Sequence, residues 1–182
     1  MLSYLASSLP LPTSAAARLL ALQCALRSNL LGYADLPAGL IRGMALGCAT
    51  TRWKELEAAR WLRLISHAGQ GRVIRLTDPL VGLPGARSRS RAADWALRMA
   101  RGRNLAGMPA ESRLVALALL AHTRTHAGGG TADAHQVGRT CSVSVSRLLE
   151  EVRRLTERKV FTAWMLDPRT DDLSWDLSDS SI

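Results

Sequence analysis

Twice in this chain an apolar rhythm of helical period gives way to strand alternation with no loop between them. The first instance is TTRWKELEAAR followed at once by WLRLISHAGQGRVIRL, spanning Thr50 to Leu76. Trp53, Leu56 and Ala59 or Arg60 fall on one side of the helical part, and the two alternating runs fold around a glycine-containing tip. The second instance is SVSVSRLLEEVRRLTERK, then VFTAWML, DPRTDD and LSWDL. There Val145, Leu148, Leu149, Val152 and Leu155 recur at i, i+3, i+4, i+7 and i+10, which places them in one stripe on a helix. DPRTDD has the turn chemistry of a hairpin tip. Trp164 and Trp175 stand one on each arm, the placement of a cross-strand aromatic pair.

Start and stop signals place two further helices before each of these segments. Thr13 and Ser14 cap AAARLLALQCALRSNLL, whose Leu19, Leu20, Leu22, Cys24, Ala25 and Leu30 form an apolar face that Gly32 ends. Asp35 and Pro37 open a short helix, PAGLIRGMAL, that Gly47 closes, and Thr50 or Thr51 caps the third. In the second half Glu111 or Ser112 opens SRLVALALLAHTRTH, closed by Gly128 to Gly130. Thr131 then caps ADAHQVGRT, and a turn around Cys141 leads into the striped helix. Between the halves, LPGARSRSRAADWALRMARGRNLAGMP reads as a basic linker to about Ser90 and a short helix, RAADWALRMARG, with Trp95, Ala96, Leu97 and Met99 available for packing. The expected organisation is therefore residues 1–80, a connecting segment 81–109, and residues 110–182.

Charge divides the same way. The 182 residues carry a net charge of +9 and are 47% hydrophobic, an ordinary apolar share for a globular chain. Residues 1–78 hold nine basic against four acidic side chains, residues 79–109 six against one, and residues 110–182 nine against ten. The positive excess lies wholly in the first half and the middle, which makes those regions the expected polyanion-facing surface. Only Lys54 and Lys159 are lysines, so part of this surplus is an arginine bias in composition. Cys24, Cys48 and Cys141 are odd in number and widely spaced, which fits a reducing cytoplasm and supplies neither a disulfide framework nor a paired metal motif. MLSYLASSLPLP lacks a basic leader and is broken by Pro10 and Pro12, against a signal peptide. No apolar run reaches the roughly 18 residues of a membrane span.

Three helices and a two-stranded ribbon in this order resemble the winged helix-turn-helix superfamily. LEAARWLRLI is similar to the junction of its recognition helix and first wing strand, and LLEEVRRLTERKVFTAWML keeps the same rhythm. Members commonly carry glycine where Arg60 and Lys159 stand here. The resemblance covers roughly residues 14–78 and 110–178. It implies a mainly α fold with small β-hairpin wings, as two tandem winged helix-turn-helix units joined by an Arg-rich linker and a short helix. It also implies a non-enzymatic, nucleoid-associated protein that binds double-stranded DNA sequence-specifically, most simply a transcriptional regulator.

A third helix of this kind enters the major groove and touches base edges with short polar or basic side chains, while the wing reaches the backbone or minor groove. The matching positions are Thr50, Thr51, Arg52 and Lys54, with His67, Gln70 and Arg72 at the wing. In the second unit they are Ser142, Ser144, Ser146 and Arg147, with Arg169 at the tip. Glu150, Glu151, Asp167, Asp171 and Asp172 would repel phosphate there, so the first unit and Arg87, Arg89 and Arg91 are expected to carry DNA contact. The second unit is left for light docking, a protein partner or dimerisation, since symmetric half-sites suit a homodimer.

Other readings of the same residues are open at this point. Arg52 and Lys54 also fit the wet face of an amphipathic helix, and Arg87, Arg89 and Arg91 a solvated linker. Trp53 and Trp61 are expected in the core. Plasmid replication initiation or partition is an alternative role, and a winged-helix protein-interaction scaffold is one of another class. His122, His126, His135 and Cys141 lack the HExxH and CxxC patterns of zinc sites, and no Walker lysine or GxSxG is present, so no metal, cofactor or catalytic residue is expected.

Overall fold

The computed structural model describes residues 1–66, 71–78, 84–124 and 128–178. The chain forms two compact units, Met1–Arg98 and Met99–Ile182. The first therefore runs past the expected boundary at residue 80 and takes in most of the connecting segment.

In the first unit the elements are α1 (Leu2–Ser8), α2 (Ala15–Arg27), β1 (Tyr33–Leu36), α3 (Ala38–Gly43), α4 (Ala49–Ala58), β2 (Leu62–Ser66), β3 (Arg72–Leu76) and α5 (Ala86–Ala100), which runs two residues past Arg98. The Ser14 hydroxyl caps α2 by accepting from the Ala17 amide. That helix is buried along nearly its whole length, and Trp53, Leu56, Trp61, Ile74 and Leu76 close over it as the core. Arg18 is buried with them. Its guanidinium donates to the carbonyls of Leu5, Leu9, Pro10 and Thr13, tying down α1, which the sequence did not announce. Trp61 donates from Nε1 to Ser8 Oγ at 3.1 Å, so both tryptophans of the first hairpin junction are core residues, as expected.

The second unit repeats the order with α6 (Ala110–His122), β4 (Thr123–Arg124), β5 (Gly129–Asp133), α7 (Ala134–Cys141), α8 (Val145–Glu157), β6 (Phe161–Leu166) and β7 (Asp172–Leu177). Leu148, Val152 and Leu155 of the predicted stripe are fully buried, while Val145 and Leu149 are half-buried. Trp164 lies opposite Trp175 in the ladder as read, but the ring packed against Trp175 is that of Phe161, at 6.4 Å.

The fold is mixed α/β rather than mainly α, because each hairpin belongs to a larger antiparallel sheet. The sheet orders are β1-β3-β2 and β4-β5-β7-β6. Tyr33 to Leu36 pairs with β3, although Asp35 and Pro37 read as a helix start. Gly129 and Gly130 belong to β5 rather than stopping α6. A Cβ on Gly130 would stand 2.5 Å from Trp175 Cζ2, so the glycine lets the indole lie flat on the strand. Consequently Asp133, not Thr131, caps α7 by accepting from the Gln136 amide. In the first unit α2 ends at Arg27, which leaves Leu30 off the helix and exposed.

The two junctions share one backbone geometry. Arg60 and Lys159 adopt φ of 55° and 58°. The Arg60 amide donates to Glu57 O and the Trp61 amide to Leu56 O; Lys159 donates to Thr156 O and Val160 to Leu155 O. These paired bonds are the left-handed helix stop usually built on glycine. They turn the chain directly from helix into strand, which is why no loop separates the two rhythms.

Candidate nucleic-acid interface

α4 begins at Ala49 with Cys48 at its N-cap, two to three residues earlier than a threonine cap would give. Burial of Trp53 and Leu56 fixes the rotation of the helix and leaves Thr50, Thr51 and Lys54 exposed. Arg52 is placed differently. Its guanidinium lies 3.5 Å from Glu55 and donates to Ser14 Oγ at 3.4 Å, so it is held toward the start of α2. Glu55 in turn accepts from the Ser14 amide and hydroxyl. The exposed Cys48 thiol is held below its ordinary pKa, first by the hydrogen bond from the Thr51 side chain, then by the Thr51 and Thr50 amides and the Arg52 charge.

The arginine-rich segment is helical, not a linker. α5 runs from Ala86, and Gln23 Nε2 donates to Ala93 O at 3.0 Å while Arg27 pairs with Asp94 at 2.7 Å. Helical geometry separates the three predicted arginines. Arg87 and Arg91 are exposed, but Arg89 is 5% exposed and donates to Pro84 O and Ser28 O at 2.7 and 2.9 Å. Arg89 is therefore a structural anchor, and its assignment as a DNA contact is corrected. Arg98, outside the expected set, is exposed on the same helix. The i, i+4, i+11 spacing of Arg87, Arg91 and Arg98 puts these three on one face.

The second unit uses its corresponding residues internally. Ser142 is the left-handed residue that ends α7, with φ of 57°, and its hydroxyl is buried. Ser144 Oγ caps α8 by accepting from the Arg147 amide and lies 3.0 Å from Ser146 Oγ. Arg147 pairs with Glu111, Glu150 and Glu151 at 2.5, 2.7 and 3.1 Å, and these carboxylates, Glu111 first, raise its pKa. Ser142 is thus corrected as a DNA contact, its hydroxyl being hidden, while the part-exposed Arg147 guanidinium is paired with carboxylates of its own unit. Ser144 and Ser146 are exposed, and so is Arg169, whose amide donates to Asp167 Oδ1 in the tip of the β6–β7 hairpin. Arg72 is half-buried at the start of β3. His67 and Gln70 lie outside the described residues.

Among the described residues no three His, Cys, Asp or Glu side chains gather in a metal-holding group, and no helix is long and apolar enough to cross a membrane. Of the weighed zinc set, His122 and His135 are exposed and Cys141 is buried, while His126 lies outside the described residues. The chain matches no family model, no curated protein and no solved structure.

Proposed function

We propose that this is a double-stranded DNA-binding protein built from two tandem winged helix-turn-helix units, in which the first does the reading. The observation that carries the proposal is α4. It presents Thr50, Thr51 and Lys54 outward from a helix anchored by Trp53 and Leu56, directly ahead of a hairpin, in the half of the chain that holds the positive excess. Polar side chains at the start of such a helix suit base edges, and the hairpin suits the adjacent backbone. Transcriptional regulation is the role we propose, with a homodimer supplying the second half-site.

The Arg147 cluster favours a different task for the second unit, namely contact with a protein partner or with its own copy. Genome-wide mapping of bound sites tests the whole reading. Promoter peaks support a regulator, a single origin peak supports an initiator or partition factor, and the absence of peaks supports a protein scaffold. In vitro, Lys54→Ala should remove discrimination between specific and random duplexes while leaving the fold intact. Unchanged discrimination would refute α4 as the reading helix.

A further inference from the structure

The outer face of the first sheet carries a like-charge pair that folding alone does not explain. β2 and β3 place Arg63 directly opposite Arg75, and β1 places Tyr33 on the other side of Arg75. The alternation of burial sends Ala34, Leu36, Leu62, Ile74 and Leu76 inward and leaves Tyr33, Arg63 and Arg75 exposed. Like charges facing each other across strands destabilise a sheet. Among the described residues neither arginine has an ion-pair partner, and Asp35, on the same face of β1, lies opposite Val73 instead. Arg75 is held in place, its guanidinium carbon 5.4 Å from the centre of the Tyr33 ring. A cavity of about 180 Å³ is lined by Arg63, Arg75, Leu76 and Thr77. That is more than ten times the ~10–15 Å³ that admits one water.

From this geometry we infer that Arg63 and Arg75 form a binding site for a phosphoryl group. Arg63 and Arg75 line one cavity from adjacent strands, where guanidinium N–H donors suit the oxygens of a phosphate, and its negative charge offsets the repulsion the sheet otherwise carries. The site is separate from α4 and stands whether or not the chain reads DNA. The phosphate has two sources, a small phosphomonoester or the backbone of a nucleic acid, and the chemistry of recognition is the same for both.

The test uses the full-length protein and its Arg63→Gln/Arg75→Gln double variant. Three probes at matched ionic strength serve: inorganic phosphate, a nucleoside 5′-monophosphate and a short DNA duplex. Guanidinium Nε–H resonances of Arg63 and Arg75 should shift saturably with inorganic phosphate while that of exposed Arg42 stays fixed. The double variant should bind at least about tenfold more weakly, the loss expected for removing charge-assisted donors. Tight binding of the monophosphate with an unchanged duplex salt slope identifies a small ligand. A slope that falls by about 0.9 per arginine identifies the backbone. No saturable shift with any probe, or equal binding by the double variant, overturns the site. Arg63→Gln alone should melt no lower than the parent at low salt without phosphate, and a lower melting point would show that the pair is not held against its own repulsion.

Discussion

The arginines of α5 offer the sharpest test, because the helix separates residues that the sequence presents as equivalent. Arg87, Arg91 and Arg98 fall within about 40° of one another at 100° per residue, and span about 16 Å at 1.5 Å per residue. If each neutralises one phosphate, changing all three to Ala should lower the slope of log K against log salt by about 2.7, at 0.9 per contact. Between 50 and 200 mM salt that difference amounts to a factor of about 40, so the deficit of the variant at low salt should shrink about 40-fold at high salt. Fluorescence anisotropy on one duplex across a salt series measures it. Arg89→Ala removes the same formal charge but should act on stability. It strips two charge-assisted bonds from the Ser28 and Pro84 carbonyls, a loss of about 2–4 kcal/mol readable in urea unfolding. Loss of salt slope at Arg89 equal to that at Arg87, with stability unchanged, would refute the assignment of faces.

Arg60→Gly and Lys159→Gly should each stabilise the protein by roughly 1 kcal/mol, since glycine carries no left-handed penalty; urea midpoints should add in the double variant, the two sites lying in different units. Cys48 should be the cysteine that iodoacetamide labels first, because Cys24 and Cys141 are buried. With its pKa lowered in the folded state, its reactivity should persist to lower pH than that of a free thiol; its ionisation favours the fold above the unfolded-state pKa, an increment lost as pH falls through the folded one. Saturating duplex should protect Cys48 if the start of α4 enters the groove, and unprotected labelling of bound protein would count against that docking. Glu111→Gln/Glu150→Gln, which removes the two closest carboxylates, should loosen Arg147 and strengthen non-specific duplex binding by the second unit, whereas Ser112→Ala should cost about 1–3 kcal/mol by leaving the buried Glu151 oxygen, 2.5 Å from the hydroxyl, without its donor.

Much of this was legible from periodicity. The stripe of α8, the burial of Trp53 and Trp61 and both helix-to-hairpin junctions follow from which residues repeat every 3.6 or every two positions. What escaped was set by distant partners. Arg89 sits between exposed arginines in a Ser-rich run with poor helix propensity, and the Pro84 carbonyl and the Ser28 carbonyl, far back along the chain, draw it inward. β1 has four residues and carries Asp35, and β5 begins with glycines, so neither shows strand propensity. Their pairing is dictated by β3 and by the indole of Trp175. Arg63 and Arg75 sit at outward positions of an alternating pattern, yet their opposition depends on hairpin register, which the composition of the arms does not reveal.

The two units solve one packing problem with opposite signs, and that difference accounts for their different surfaces. α4 and α8 each carry an oppositely charged i, i+3 pair, the glutamate of which bonds a serine at the start of α2 or α6. Arg52 and Glu55 meet Ser14, while Glu151, paired with Arg154, meets Ser112. Arg52 lies eight residues before the left-handed Arg60, and Glu151 eight before the left-handed Lys159, so a cation and an anion occupy equivalent positions. Where the residue there is Arg52, the local negative charge of Glu55 is already met, and Lys54 stays free at the surface. Where it is Glu151, fully buried, a single arginine does not suffice: Arg154 at 2.6 Å is joined by Arg147 at 3.1 Å, and Glu111 and Glu150 hold that second guanidinium in place. The buried carboxylate thus joins Glu111 and Glu150 in engaging Arg147 near the start of α8. The different pairing at these equivalent positions follows from the sign of one buried side chain, more than from the charge totals of the two halves.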